Sequence, residues 1–186
     1  MRRLRWIVVL VVAVLAAAVI AALVLVRPGL EDARDRVDGR WTPLRPSLIA
    51  RYDALDGVAT ALRDAGAGDR SVTTDLDTSL DRWGTYALRG PEHTDPGAEV
   101  VIANELEELA RRVRGNLIAS EKLKNDPALA GAVTAFDQAV VPQPSVRAYN
   151  QAVRAYEEDR SGFFEHLVAN TLGYDSRPVL VVGTGA

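Results

Sequence analysis

The sequence predicts an all-α protein, an N-terminal transmembrane helix followed by an antiparallel bundle of long helices, and three observations predict it. Trp6 to Val26 is an unbroken run of 21 apolar residues. Beyond it, apolar residues recur at steps of three, four and seven, the period of helices that bury one face. Strand-like alternation is missing from the body of the chain. These observations divide the chain into a basic flank at 1–5, a transmembrane helix at 6–26, a helical bundle at 27–174 and a tail at 175–186.

A helix rises ~1.5 Å per residue, so the apolar run spans roughly 31 Å, enough for a bilayer's hydrocarbon core. Secretory apolar regions are typically about 7–15 residues, shorter than this one, which ends at Arg27-Pro28 without a small-x-small site just past it. An uncleaved anchor is the reading, although Ala16-Ala17-Ala18 and Ala21-Ala22 leave a cleaved signal as the alternative. A buried soluble helix would need partners on every face, which a domain of this size rarely supplies. Arg2, Arg3 and Arg5 face Arg27, Arg34, Arg36 and Arg40 across the run, close to a tie. The tight, acid-free N-terminal cluster favours a cytoplasmic N-terminus, with the bulk of this cell-membrane protein outside.

The roughly 160 residues that follow make one domain. A net charge of -3, with no concentrated basic face, argues against a nucleic-acid partner. Zero cysteines exclude disulfides, thiolate catalysis and Cys-ligated metals.

Leu30, Val37, Trp41, Leu44, Leu48, Tyr52, Leu55, Ala59 and Leu62 keep one helical phase from Leu30 to Asp64. Pro43 and Pro46 interrupt it, and Thr42-Pro43 has the form of an N-cap followed by an N1 proline, so the expectation is a kinked rod. Ala65-Gly66-Ala67-Gly68 stops that rod. A second helix is expected at about Ser71–Leu88, on the stripe Val72, Leu76, Leu80, Trp83 and Ala87, and Gly90-Pro91 and Asp95-Pro96-Gly97 mark a loop. A third runs from about Gly97 to Lys124 with Ile102, Leu106, Leu109, Val113 and Leu117 on one face. Asp126 before Pro127 caps a fourth, which carries Leu129, Val133, Phe136 and Val140. The last helix, about Ser145 to Leu172, carries Tyr149, Val153, Tyr156, Phe163 and Leu167, with Arg160 on the same stripe and Gly173 as its stop. Val179-Leu180-Val181-Val182 is an apolar tail that packs along the bundle or stays loose. Short breaks between long amphipathic helices imply antiparallel neighbours.

The segment Tyr149-Asn150-Gln151-Ala152-Val153-Arg154-Ala155-Tyr156 resembles the Tyr-Asn-x-x-Val-x-x-Tyr signature of the LemA family of membrane-anchored bacterial proteins. Phe163, Leu167-Val168-Ala169 and Gly173-Tyr174 continue the register, the last where the family has Gly-Phe. Trp41 and Arg51-Tyr52-Asp53 are similar to the family's first-helix tryptophan and Arg-Tyr-Asp segment. Departures are Val146 in place of one arginine before the signature, Glu157 for Asn, Phe163-Phe164 for Phe-Pro, and Ala54-Leu55-Asp56-Gly57 for Leu-Ile-Pro-Asn. The match is densest over Tyr149 to Tyr174 and describes a divergent relative. The resemblance implies an anchor followed by long antiparallel helices; the family has no agreed biochemical activity, so no catalytic residue carries over.

No constellation in the chain names a reaction. Glu107/Glu108 point about 100° apart on a helix, and they, Asp75/Asp77 and Glu157/Glu158/Asp159 read as solvated faces. Asp75-Leu76-Asp77 begins like a calcium loop, but Leu80 stands at the glycine position and Tyr86 at that of the bidentate acid. His93 and His166 are too few for a His-rich metal site. No Gly-x-Ser-x-Gly occurs, and Gly183-Thr184-Gly185 has no helix after it. Trp41, Tyr52, Tyr149, Tyr156 and Phe163 are the candidate core or groove aromatics, with Trp83 and Phe136 beside them. Buried tyrosine hydroxyls need partners, and Asn150 or Arg160 is placed to supply them. The function expected is a non-enzymatic scaffold or protein-interaction module at the bacterial envelope, held by the bilayer through residues 6–26, without cofactor or metal and with an unidentified envelope protein as partner. The alternative is an extracytoplasmic ligand-binding or sensory domain beside Tyr149 and Tyr156, and a hydrolase using Asp53 or Glu108 ranks last.

Overall fold

Helix α1 (Arg2–Trp41) carries Pro28 in its interior without ending there, so the expected boundary between anchor and bundle is not a helix boundary. The computed structural model describes residues 2–89 and 95–183, apart from the side chains of 2–5, 7–9, 11, 12, 15, 16, 18–20, 22, 23, 163 and 164. The described residues form eight α-helices and a π-helical turn and contain no strand. After α1 come α2 (Arg45–Leu62), a π-helical turn (Arg63–Ala67), α3 (Ser71–Ala87), α4 (Pro96–Ala119), α5 (Glu121–Lys124), α6 (Pro127–Gln138), α7 (Gln143–Arg160) and α8 (Phe163–Leu172).

Three helices predicted as single are broken. Thr42–Leu44 form a turn between α1 and α2, closed by the Leu44 N–H donating to the Trp41 carbonyl at 2.9 Å. The helix restarts at Arg45 with Pro46 in its first turn, where a missing donor costs nothing, and Leu44 rather than Thr42 is its N-cap. The apolar phase survives, because Trp41, Leu44 and Leu48 are all buried. The expected third helix stops at Ser120, whose φ of -123° and ψ of 107° are extended, and α5 resumes beyond it. The last helix breaks at Ser161-Gly162, and Gly162 has the extended ψ of 152° that starts α8. Gly173 (φ 72°) ends α8 and Gly66 (φ 78°) kinks the π-helical turn, both in the left-handed region where a Cβ is disfavoured. Asp126 caps α6 as predicted, its carboxylate accepting from the Leu129 N–H at 3.0 Å.

The chain divides into two compact units, residues 1–37 with 152–177 and residues 38–151 with 178–186. In the first, Leu30, Val168, Ala169 and Tyr174 form a small core with Val26 packed on it. Side chains late in α7 hold the backbone that follows α8: Tyr156 donates to the Asp175 carbonyl at 3.0 Å and Arg160 to the Tyr174 carbonyl at 3.0 Å. Glu157 accepts from the Ser176 hydroxyl at 3.0 Å and the Arg177 N–H at 2.8 Å.

In the second unit, α2 and α3 run antiparallel, since Tyr52 meets Trp83 and Arg63 meets Asp77. Helices α3 and α4 run antiparallel too, with Ser79 on Glu105 and Asp75 near Arg112. Consequently α2 and α4 point the same way, and two buried ion pairs join them: Arg45 to Glu99 at 2.9 Å and Arg51 to Glu107 at 2.6 Å. The α2 side chains Leu48, Leu55, Val58, Ala59 and Leu62 are buried at helical spacing, as the sequence pattern requires.

Candidate functional site

Of the candidate aromatics, Trp41, Tyr52, Tyr149 and Tyr156 are buried, and the Phe163 side chain lies outside the described residues. Trp41 and Tyr149 pack at 5.4 Å between ring centroids, and Tyr52 meets Trp83 edge-on at 4.8 Å. The tyrosine hydroxyls bond backbone carbonyls, and the Arg160 guanidinium lies 5.5 Å from the Tyr156 ring centroid. Tyr52 donates to the Ala103 carbonyl at 3.2 Å and Tyr149 to the Pro178 carbonyl at 3.1 Å. Burial, and after it the Glu107 carboxylate, holds the Tyr52 phenol well above its ordinary value, since both disfavour the phenolate.

Glu107 corrects the reading of its pair as solvated. Only Glu108 is exposed; Glu107 is buried at 3% exposure. Arg51 grips it with both edges of a fork, Nε to Oε1 at 2.6 Å and Nη2 to Oε2 at 3.0 Å. The Arg51 guanidinium lies 4.1 Å from the Phe136 ring centroid and donates to the Ala139 carbonyl at 3.0 Å. A second acid that sequence reasoning missed, Glu99, is fully buried, and its Oε2 accepts from Trp41 Nε1 at 2.6 Å and Arg45 Nε at 2.9 Å. Burying carboxylates this deeply is tolerable only with such charge-assisted donors around them.

The most organised polar geometry lies along α4 and α7, where residues 178–183 run as extended chain. Asn150 meets both polar groups of Leu180, donating to its carbonyl and accepting from its N–H, each at 2.8 Å. Asn104 meets the opposite edge, donating to the Val179 carbonyl and accepting from the Val181 N–H, each at 2.8 Å. One residue pair farther along that edge, the Gly183 N–H donates to Glu107 Oε2 at 2.9 Å. In an extended chain alternate residues turn their backbone groups to opposite edges. Residues 178 and 180 therefore address α7 while 179, 181 and 183 address α4. The two carboxamides satisfy the segment as neighbouring strands would, although no strand is present among the described residues.

Side chains contribute less to this seat. Leu180 is buried at 1% exposure, whereas Val179 and Val181 are 39% and 56% exposed. Burying one leucine stabilises by about 1.5–3 kcal/mol. Each net hydrogen bond adds roughly 0.5–1.5 kcal/mol, so the backbone bonds outweigh the single apolar anchor. The tail is thus packed rather than loose. Asparagine inside a helix is unfavourable by propensity, and Asn104 and Asn150 both sit mid-helix, the one signal by which the sequence marks them.

Among the described residues no group of three or more His, Asp and Glu side chains could hold a metal ion. His93 lies outside the described residues, while His166 is exposed and contacts Asn170 at 3.1 Å. No protein-family model, curated protein or solved structure matches the chain.

Proposed function

We propose that the protein is a single-pass, membrane-anchored helical bundle of the LemA type that serves as a non-enzymatic scaffold or protein-interaction module at the bacterial envelope. The observation carrying this reading is the apolar run inside α1. Among the described residues no helix is long and apolar enough to cross a membrane. Every described side chain from Trp6 to Leu25 is exposed, including Trp6 at 71%, Leu10 at 65% and Val24 at 66%. Exposed apolar side chains such as these need cover, and lipid supplies it.

A non-enzymatic role is supported by where the buried acids go. Glu107 is engaged by Arg51 and the Gly183 amide, and Glu99 by Trp41 and Arg45 through its Oε2, the partners of structural acids. The LemA reading rests on the resemblance over Tyr149 to Tyr174, within which the side chains of Tyr149, Asn150 and Tyr156 hold the chain after α8.

Alkaline carbonate extraction of membranes tests attachment. The protein is expected in the pellet, and release into the supernatant would remove the anchor from the proposal. In-cell crosslinking followed by affinity purification from detergent extracts tests the module. Recovery of the protein by itself across several growth conditions would count against a scaffold.

A further inference from the structure

Residues 178–183 occupy a seat whose contacts are directed at backbone, and such a seat accepts other chains of the same shape. We propose that the groove between α4 and α7, lined by Asn104, Glu107, Tyr149 and Asn150, is a receptor site for an extended segment of a partner polypeptide, and that the protein's own tail covers it in cis. The proposal deepens the interaction-module reading by naming the chemistry of the partner.

Four of the six polar contacts along the seat come from two asparagine carboxamides, each reading a donor and an acceptor together. A carboxamide that donates and accepts on the same strand edge demands an extended backbone and is indifferent to side-chain identity. Requirements on the occupant follow directly. The third position needs a branched aliphatic residue, because Leu180 is the buried side chain. The third, fourth and sixth positions need free N–H groups, since those of Leu180, Val181 and Gly183 donate, and proline is barred there. The sixth position needs glycine or a slight retreat, for a Cβ on Gly183 would meet the Glu107 carboxylate at 3.3 Å. The second and fourth positions are open to variation, their valines being largely exposed.

Cis occupancy makes recognition competitive. A tethered segment holds its seat at an effective concentration in the millimolar range, so only a partner segment with better side-chain contacts, or one presented at high local concentration, displaces it. The Arg51–Glu107 pair is common to the seat and the core, because Glu107 Oε2 takes both Arg51 Nη2 and the Gly183 amide. Loss of the tail therefore leaves the Glu107 charge still paired with Arg51.

The test uses the full chain in detergent and a fluorescent, end-capped peptide of the sequence of residues 178–183. In the L180D variant the tail loses its buried anchor, and the peptide is expected to bind at least tenfold more tightly than to the unaltered chain. Adding N150A or N104A is expected to weaken that binding by about tenfold each, as the loss of paired hydrogen bonds requires. A peptide N-methylated at its leucine should bind at least tenfold more weakly. Absence of saturable binding to an L180D chain that keeps its helical circular dichroism overturns the proposal, as does equal binding of the methylated peptide. Should L180D lose helicity, V181P removes one tail bond at a half-exposed position and the same outcomes apply. A chain dimer that the peptide disperses would assign the seat to the tail of a second copy and overturn the partner assignment. These readings need no envelope partner, so failure of the scaffold proposal and failure of the seat are distinguishable.

Discussion

Arg51 and Glu107 are the residues whose position in the chain most understates their role. A buried ion pair is weak support for net stability, yet breaking one strands a charge in low dielectric. Glu107→Gln is expected to destabilise the protein by about 3–5 kcal/mol in chemical denaturation, whereas the double change Arg51→Met with Glu107→Leu should cost clearly less. A single-variant loss below about 1 kcal/mol would show that the pair is not desolvated as its 2% and 4% side-chain exposures imply. Tyr52 makes a pH prediction. Its folded pKa lies above the unfolded value of about 10, so the folded state keeps a proton that the unfolded chain releases. That contribution is complete below about pH 10 and falls away as pH climbs towards the folded value. Tyr52→Phe should therefore flatten the loss of stability above about pH 10 while lowering stability at pH 7 by roughly 0.5–1.5 kcal/mol through the lost bond to Ala103. Denaturation curves from pH 7 to 11 decide it, and an unchanged alkaline slope would discount Tyr52. Burial raises Tyr156 as well, so part of the slope should persist in the variant.

At the scale of elements, breaks are set by local chemistry that periodicity overlooks. The apolar phase runs through Trp41, Leu44 and Leu48, yet two helices meet there because Pro46 is tolerated only in a first turn. Gly162 breaks the last helix, and the stripe from Tyr156 to Leu167 gives no hint of it. The α6 cap is local and testable. Asp126→Ala removes the acceptor of the Leu129 N–H and should cost about 0.5–2 kcal/mol, measured by thermal or chemical melting. Asp126→Asn should recover most of that, and a failure to recover would place the effect in charge rather than in capping.

On the scale of the whole molecule, the proposed anchor makes sidedness the decisive question, because the arginines flanking residues 6–26 nearly balance. Protease added to intact cells stripped of outer layers is expected to digest the bundle. Digestion only after lysis would reverse the orientation. The seat for residues 178–183 predicts slow amide exchange at Leu180 and Val181 in the intact protein, and exchange as fast as in an unstructured peptide would mean the tail is not held.

What the sequence by itself determined is what depends on pattern. Helical class follows from apolar residues at steps of three and four, the Asp126 cap from a short polar residue before proline, and the buried rings of Trp41, Tyr52, Tyr149 and Tyr156 from their places on those stripes. What only the tertiary structure decided is which polar residues on those helices meet. Glu107 and Glu108 are adjacent and chemically alike, and one is buried and the other exposed, because Arg51 arrives from α2 to neutralise the first. Asn104 and Asn150 lie 46 positions apart, and neither can mark a binding edge until α4 and α7 bring an extended segment between them. Periodicity reports the face a helix turns inward; partners across long sequence separations are fixed by packing, and the seat for residues 178–183 consists almost wholly of such partners.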